Sequence, residues 1–307
     1  MIFDSKHLER LKNWNEPSPA NLTSAALFDK PVIQREILAP TEPASPRNTA
    51  FLSVSAYGND SYKRSNVFMR SAARFGITLR WLSLREQWRG FTYHKLQQFL
   101  RLAPYLQEQG FQYAFMLDAF DCCFTDGPSV ICQKANEVYE QGTILFNREL
   151  DNWTYPYKNE YFKTELFRVG VPLNAGLLFG SLKAIKDGSE AALRIQHEIM
   201  ANKTRPGMLR HCMADPAFTN SLGHWINDDQ LLFLLAGFYH KELYRTDDER
   251  RLLSWCQQMR LPLAEERAFG NKSGKPHQGS IIHSSVTVNL MGVEHWEKWC
   301  RENDLIL

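Results

Sequence analysis

Two aspartates three residues apart are the clearest candidates for chemistry in this sequence. Asp118 and Asp121 follow directly after an apolar run in the stretch FMLDAFDCCF, residues 115–124. Such a run predicts a buried strand, and its end places both carboxylates at one edge of a sheet. Hard oxygen ligands of this kind suit Mg²⁺ or Mn²⁺, which leave coordination positions for phosphates. Asp is also common in solvated turns, so a structural interpretation of the pair stays open.

Two further polar stretches interrupt apolar segments. Asn174 is followed by Ala175 and Gly176 inside the apolar run LNAGLLFG, which indicates the close approach of a ligand or of another backbone segment. Asp228 and Asp229 open an apolar helix in the stretch NDDQLLF. Helix capping explains one of these acids but does not obviously call for two.

A histidine and a group of aromatic residues complete the set. His283 ends the short apolar run IIH, where an imidazole could bind a metal, although a lone histidine is more often a hydrogen-bonded structural residue. Trp153, Tyr155 and Tyr157 cluster in one predicted loop. Flat aromatic rings are suitable surfaces for sugar faces to stack on, so this loop is a candidate for ligand contact as well as for packing.

The segments that must position these residues alternate between strand-like and helix-like patterns. Predicted strands cover 50–56, 77–84, 113–117, 143–146, 173–179 and 280–283, and predicted helices cover 62–75, 93–109, 128–141, 182–201 and 228–239. This alternation predicts an α/β fold with an open, mostly parallel sheet that is covered by helices on both faces. Sheets of this type bind ligands outside the carboxyl ends of their strands, where the polar residues fall.

The ordered set of motifs resembles the nucleotide-sugar glycosyltransferases of the GT-A fold, and most closely the glycosyltransferase domain of the procollagen lysyl hydroxylases. The resemblance covers about residues 48–289 and rests on LDAFD, a loop with Glu149 and Trp153-x-x-Pro156, LNAGLLFG, DDQLLF and IIH, in that order. It implies one GT-A-like, Rossmann-like domain over 48–290. The segment before it contains proline-rich stretches and is predicted to be an N-terminal extension over 1–47, and the segment after it is predicted to be a C-terminal helix or tail over 291–307.

The resemblance also implies a role for each candidate residue. Mn²⁺ or Mg²⁺ would be held by Asp118, Asp121 and His283. The donor would be bound by Asp118, Lys95, Trp153, Asn174, Ala175 and Gly176, although a solvated lysine in the first turn of a helix is an equal interpretation of Lys95. The catalytic residues would be Asp228 and Asp229. In the family, the late histidine is followed by glycine in the motif HGNG, whereas in this chain His283 is followed by Ser-Ser-Val at 284–286.

The expected activity is transfer of a hexose from a nucleotide sugar to an acceptor hydroxyl, and UDP-sugars are the preferred class of donor. The acceptor hydroxyl would belong to a glycan, a lipid-linked glycan or a protein side chain. The metal would neutralise the leaving diphosphate. Asp228 or Asp229 would orient the acceptor, take its proton or stabilise the sugar cation. Two alternatives stay open, another metal-dependent nucleotide or phosphate enzyme, and a non-catalytic nucleotide- or glycan-binding relative.

Composition excludes several other classes of protein. The sum of 36 Lys and Arg against 34 Asp and Glu gives a net charge of +2, too balanced for a nucleic-acid binder or a polybasic membrane anchor. No apolar window approaches the ~18 residues of a transmembrane helix, and no secretory signal is visible, so a cytoplasmic location is expected. The six cysteines contain no CxxC pair and are expected to be buried thiols.

Overall fold

The computed structural model describes residues 36–55, 66–84, 90–148, 171–201, 203, 206–216, 218–219, 226–255, 280–283 and 293–306. The strands are β1 Thr49–Ser55, β2 Leu79–Leu84, β3 Tyr113–Asp118, β4 Cys122–Phe124, β5 Ile144–Arg148, β6 Leu173–Ser181, β7 Tyr244–Thr246, β8 Leu253–Trp255 and β9 Ile281–His283. The helices are α1 Asn66–Arg74, α2 Gln98–Glu108, α3 Pro128–Val138, α4 Leu182–Met200, α5 Met208–Ala214, α6 Asp229–Tyr239 and α7 Val293–Glu302. A π-helical turn, Thr92–Gln97, leads into α2.

Six strands form the central sheet in the order β2-β1-β3-β6-β5-β7. Strand β6 is antiparallel to β3 and β5, whereas the other neighbouring pairs are parallel. The predicted α/β fold with an open, mostly parallel, GT-A-like sheet is therefore confirmed. Because β6 runs against the others, its first residues lie at the edge of the sheet where β3 and β5 end. The polar residues of three strands thus meet at one edge.

Apolar side chains pack on both faces of this sheet. Helices α2, α4 and α6 cover one face, with residues such as Phe99, Ile185 and Leu232 fully buried against it. Helices α1 and α3 cover the other face, where Phe51 stacks on Phe115 with ring centroids 5.0 Å apart. Burial on both faces explains why the strand segments are almost continuously apolar in the sequence.

Three segments depart from the sequence prediction. The predicted helix over 93–109 begins with the π-helical turn, a geometry that is frequently found at functional sites. Helix α3 ends at Val138 rather than at residue 141, and the chain then turns through Gly142 with φ of +84°. Helix α5, Met208–Ala214, lies between the predicted helices 182–201 and 228–239, where the sequence pattern predicted no helix.

A second, three-stranded sheet has the order β4-β9-β8 and lies against the C-terminal helix. Cys123 of β4 and Ile282 of β9 pack against Trp296 and Trp299 of α7, whose indole rings stack 5.6 Å apart. Arg70 of α1 also forms a 2.9 Å ion pair with Glu297 of α7. These contacts tie α7 to the two strands that adjoin Asp121 and His283.

Replacing Ile282 with valine tests whether the small sheet and α7 unfold together with the rest of the protein. Ile282 is 2% exposed, and loss of one buried methylene costs about 0.5–1.5 kcal/mol. The midpoint of thermal unfolding should fall by roughly 1–6 °C in a single transition. The control is Val130→Ala on the exposed side of α3, which should change stability by less than about 0.5 kcal/mol. An unchanged midpoint for the Ile282 variant would show that the small sheet unfolds separately.

The described part of the chain contains no helix that is both long and apolar enough to cross a membrane. Five cysteines, at 122, 123, 132, 212 and 300, are free and buried, as the sequence predicts. The sixth, Cys256, lies outside the described residues. The proposed domain limits at 47/48 and 290/291 stay predictions.

Candidate functional site

A buried lysine lies at the centre of the polar edge of the sheet. The side chain of Lys95 is 1% exposed, and its Nζ donates hydrogen bonds to Asp118 Oδ1 at 3.0 Å and to the Ala175 carbonyl at 2.6 Å. The same Nζ lies 2.9 Å from Asp229 Oδ2. One cation therefore joins the end of β3, the start of α6 and the first residues of β6. The structure brings together four residues that the sequence analysis assigned to donor binding and catalysis.

Opposing effects set the charge state of this lysine. Burial by itself lowers the pKa of Lys95, but the carboxylates of Asp118 and then Asp229 outweigh burial and raise the pKa above its ordinary value. The ammonium group therefore stays charged wherever the protein is folded. A solvated lysine, the alternative interpretation from sequence, is not what the structure contains.

The close approach of the π-helical turn to the start of α6 explains how Lys95 reaches Asp229. Gly90 has φ of +96°, and a Cβ added there would lie 2.6 Å from Asn227 Cβ. Only glycine permits this contact without a shift. Next to it, Thr92 donates from its backbone N–H to the Asn227 carbonyl at 3.3 Å, and Gln196 Nε2 donates to Asn227 Oδ1 at 3.1 Å. These contacts fix the residue that immediately precedes the two catalytic candidates.

Strand β6 bulges at the small residues that the sequence singled out. Phe146 pairs with Leu178, but the next residue, Asn147, pairs with Asn174, so that residues 175–177 have no counterpart in β5. A bulge of this kind interrupts the ladder of backbone hydrogen bonds, and bulges are common beside active sites.

The backbone groups released by this bulge bind side chains of the site. The Ala175 N–H donates to Gln230 Oε1 at 3.2 Å, while its carbonyl accepts from Lys95. The Gly176 N–H donates to Asn174 Oδ1 at 2.9 Å. Residues 174–176 thus form a fixed backbone platform beside the charged cluster. Gln230 belongs to this platform, and the sequence analysis did not assign it a role.

The two acids at the start of α6 have different environments. Asp228 is the N-cap, and its Oδ1 accepts a 2.9 Å hydrogen bond from the Leu231 N–H. Burial, and after it the charge of Asp229, raise the pKa of Asp228. The backbone N–H groups at the helix end and the charge of Lys95 lower it, but by less, so that the pKa is raised to about 7. Asp228 is therefore a capping residue with a raised pKa, whereas Asp229 belongs to the ion pair with Lys95.

Asp121 lies in the turn between β3 and the small sheet. The next residue, Cys122, is the register partner of His283 in the antiparallel pair of β4 and β9, so the backbone places His283 beside the Asp121 turn. Cys122 also donates from Sγ to the Gly176 carbonyl at 3.8 Å, and burial raises the pKa of its thiol well above the ordinary value. The thiol therefore stays protonated, and the small sheet contacts the bulge directly.

The chemistry of these donors fits a hard divalent cation. Asp118 and Asp121 offer carboxylate oxygens, and an imidazole at the end of β9 would complete a mixed oxygen and nitrogen set that suits Mn²⁺. Among the residues whose side chains are described, no three His, Cys, Asp or Glu converge on one point. The side chain of His283 is not among them, so the complete ligand set stays a prediction.

The aromatic part of the predicted site lies outside the described residues. This holds for Trp153 and for its neighbours Glu149, Tyr155, Pro156 and Tyr157. Their expected contact with the donor stays a prediction.

Comparison with known proteins identifies no family. No family model matches the sequence, and no curated protein matches it. Among solved structures, the chain is similar to a glycosyltransferase involved in the glycosylation of the major capsid of PBCV-1, with 13% identity and a TM-score of 0.37 over 81% of this chain and 98% of that chain. The fold assignment rests on the strand order rather than on this likeness.

Proposed function

We propose that this protein is a metal-dependent glycosyltransferase that transfers a hexose from a nucleotide sugar to an acceptor hydroxyl, with UDP-sugars as the preferred class of donor. The observation that carries the proposal is the carboxylate cluster at the carboxyl edge of the sheet, in which Lys95 holds Asp118 and Asp229 in fixed positions. The motif order shared with the glycosyltransferase domain of the procollagen lysyl hydroxylases supports the donor class. The acceptor would be a glycan, a lipid-linked glycan or a protein side chain.

The division of roles follows from the local environments. When bound, Mn²⁺ or Mg²⁺ would be held by Asp118, Asp121 and His283 and would supply positive charge to the leaving diphosphate. Lys95 is already paired with two carboxylates, so its part is to orient them and to balance their charge. The side-chain hydrogen bonds at the bulge hold the backbone of residues 174–176 in place, and the donor sugar would lie against this platform.

Asp228 is the better candidate for the proton-accepting group. A general base works best when its pKa lies near the working pH, and the pKa of Asp228 is raised to about 7. Asp229 is held instead in the ion pair with Lys95, 2.9 Å from its ammonium. We assign proton abstraction from the acceptor hydroxyl to Asp228 and a positioning role to Asp229.

Calorimetric titration of UDP with and without Mn²⁺ tests the proposal. The folded protein should bind UDP at least about tenfold more tightly with the metal, which corresponds to ~1.4 kcal/mol. Asp121→Ala should abolish this difference, because it removes a carboxylate ligand while leaving the Lys95 cluster intact. Asp187→Ala is the control, since Asp187 pairs with Lys183 on the surface of α4.

Two results would count against the proposal. Failure of the folded wild type to bind UDP in either condition would exclude a UDP-sugar enzyme. Metal-dependent binding followed by release of inorganic phosphate, without transfer of a sugar, would identify a phosphate enzyme on the same sheet. Incubation with a panel of UDP-sugars, with detection of free UDP and of free phosphate, separates these cases.

A further inference from the structure

Asn147 is a buried polar residue that the site described above does not use. It lies near the end of β5, after the apolar residues 144–146, and its relative exposure is 0%. Neither its Oδ1 nor its Nδ2 has a hydrogen-bond partner in the part of the chain that the structure describes. A carboxamide can donate two hydrogen bonds and accept two. The residues that the structure describes use none of this capacity.

The stability of the fold gives no reason for an asparagine at position 147. Burial removes the amide from water, and no group of the described residues replaces the lost hydrogen bonds, so the protein would be more stable with an apolar residue of the same shape there. In contrast, Asn136 of α3 donates to the Ala44 carbonyl and accepts from the Ala44 N–H, both at 2.8 Å. Asn136 therefore has a structural explanation, whereas Asn147 does not.

The position of Asn147 associates it with the candidate site. Its register partner across the sheet is Asn174, and directly opposite residues of an antiparallel pair point to the same face. The bulge at 175–177 follows Asn174 at once. On the same face, Cys122 contacts the Gly176 carbonyl at 3.8 Å, one residue after Asp121. The two amides thus lie next to the bulge, on the face of the sheet against which Cys122, the residue after Asp121, packs.

We propose that Asn147, together with Asn174, binds hydroxyl groups of the donor sugar, an inference that rests on the proposed glycosyltransferase function. A sugar hydroxyl both donates and accepts, as a carboxamide does, so vicinal hydroxyls satisfy the two kinds of polar atom in Asn147 at once. Phosphate oxygens at neutral pH mainly accept, which would leave the amide Oδ1 without a donor. The unused groups therefore fit the sugar better than the diphosphate.

Full burial has a consequence for how the donor binds. The sugar reaches the amide only when neighbouring side chains move aside, and rearrangements of this size are common at binding surfaces. Binding of the nucleotide alone needs no such step. Asn147 should therefore influence the affinity for UDP-sugars and leave the affinity for UDP nearly unchanged.

Asn147→Leu is the principal test, because leucine has the same branched shape and number of side-chain heavy atoms as asparagine and has no polar atoms. Titrations use UDP, UDP-glucose and UDP-galactose in the presence of Mn²⁺. We expect the affinity for UDP to stay within about twofold of wild type, while the affinity for the preferred UDP-sugar falls about tenfold. The thermal midpoint should be unchanged or higher, because an unsatisfied buried amide is removed.

Matched variants separate hydrogen bonding from packing. Asn147→Ser and Asn147→Ala leave similar space, but serine restores one donor and acceptor, so serine should regain part of the affinity for the UDP-sugar and alanine should not. Asn136→Leu is the structural control. It should lower the thermal midpoint, since it breaks two hydrogen bonds, and should leave the preference for UDP-sugar over UDP as in wild type.

The possible failures are distinguishable. If wild type binds UDP with Mn²⁺ and Asn147→Leu keeps the wild-type affinity for the UDP-sugars, the glycosyltransferase proposal stands and the role of Asn147 is refuted. A lowered thermal midpoint with equal weakening of UDP and UDP-sugars would make Asn147 a structural residue and would also refute its role. If wild type binds no UDP, the proposed function fails and this inference fails with it.

Discussion

Replacement of Lys95 by methionine should lower the free energy of unfolding by about 3–5 kcal/mol, because it leaves two carboxylates facing each other without their counter-charge. The side chains of Asp118 and Asp229 are 20% and 6% exposed, so water screens their repulsion poorly. Methionine keeps most of the apolar stem of lysine, which limits the cavity. The thermal midpoint should fall by roughly 6–20 °C. Differential scanning calorimetry measures this change.

A second substitution shows whether charge is the cause. The double variant Lys95→Met with Asp229→Asn contains one carboxylate fewer and should regain part of the lost stability. The matched control is Lys183→Met, which breaks an exposed ion pair with Asp187 and should cost less than about 1 kcal/mol. Equal midpoints for Lys95→Met and Lys183→Met would mean that the buried cluster contributes no more to stability than an exposed ion pair does.

The sequence could predict the fold because local patterns determine most of it. The apolar run before Asp118 marks β3, and the acidic start of the segment NDDQLLF marks α6. The reversed direction of β6 is harder to predict. All nine of its residues are buried, and a strand buried on both faces has the same apolar pattern whether it runs parallel or antiparallel to its neighbours.

The contacts that build the site are long-range, which explains why the sequence showed only part of it. Lys95 and Asp118 are 23 residues apart, and nothing in the pattern around Lys95 distinguishes a buried lysine from a solvated one. Asn147 was missed although it follows an apolar run, as Asp118 does. Its significance depends on its burial and on the absence of a hydrogen-bond partner in the described residues, which only coordinates reveal.

Asp228→Asn should reduce kcat/KM for UDP-sugar transfer by about 10²–10⁴-fold at pH 8, if Asp228 takes the proton of the acceptor. Below its pKa of about 7, the wild-type carboxyl is protonated and cannot act as a base. Wild-type kcat/KM should therefore rise as the pH increases through 7, and the variant should lack this rise. Asparagine also caps helices well, so α6 should keep its start.

Asp228→Asn should lower activity but should not lower stability, and this contrast separates a chemical role of Asp228 from a structural one. The pKa of Asp228 is raised from 3.8 to about 7 on folding, so between these values the folded protein binds a proton that the unfolded chain has lost. Ionisation of Asp228 therefore lowers stability as the pH rises from about 4 to 7, and the loss is complete above 7. Asp228→Asn removes this loss, so the variant should be at least as stable as wild type at pH 8 while being much less active. Thermal unfolding at pH 5 and pH 8 measures the difference. If the variant is less stable than wild type at pH 8 and keeps the pH-dependent rise of kcat/KM, Asp228 acts in helix capping alone.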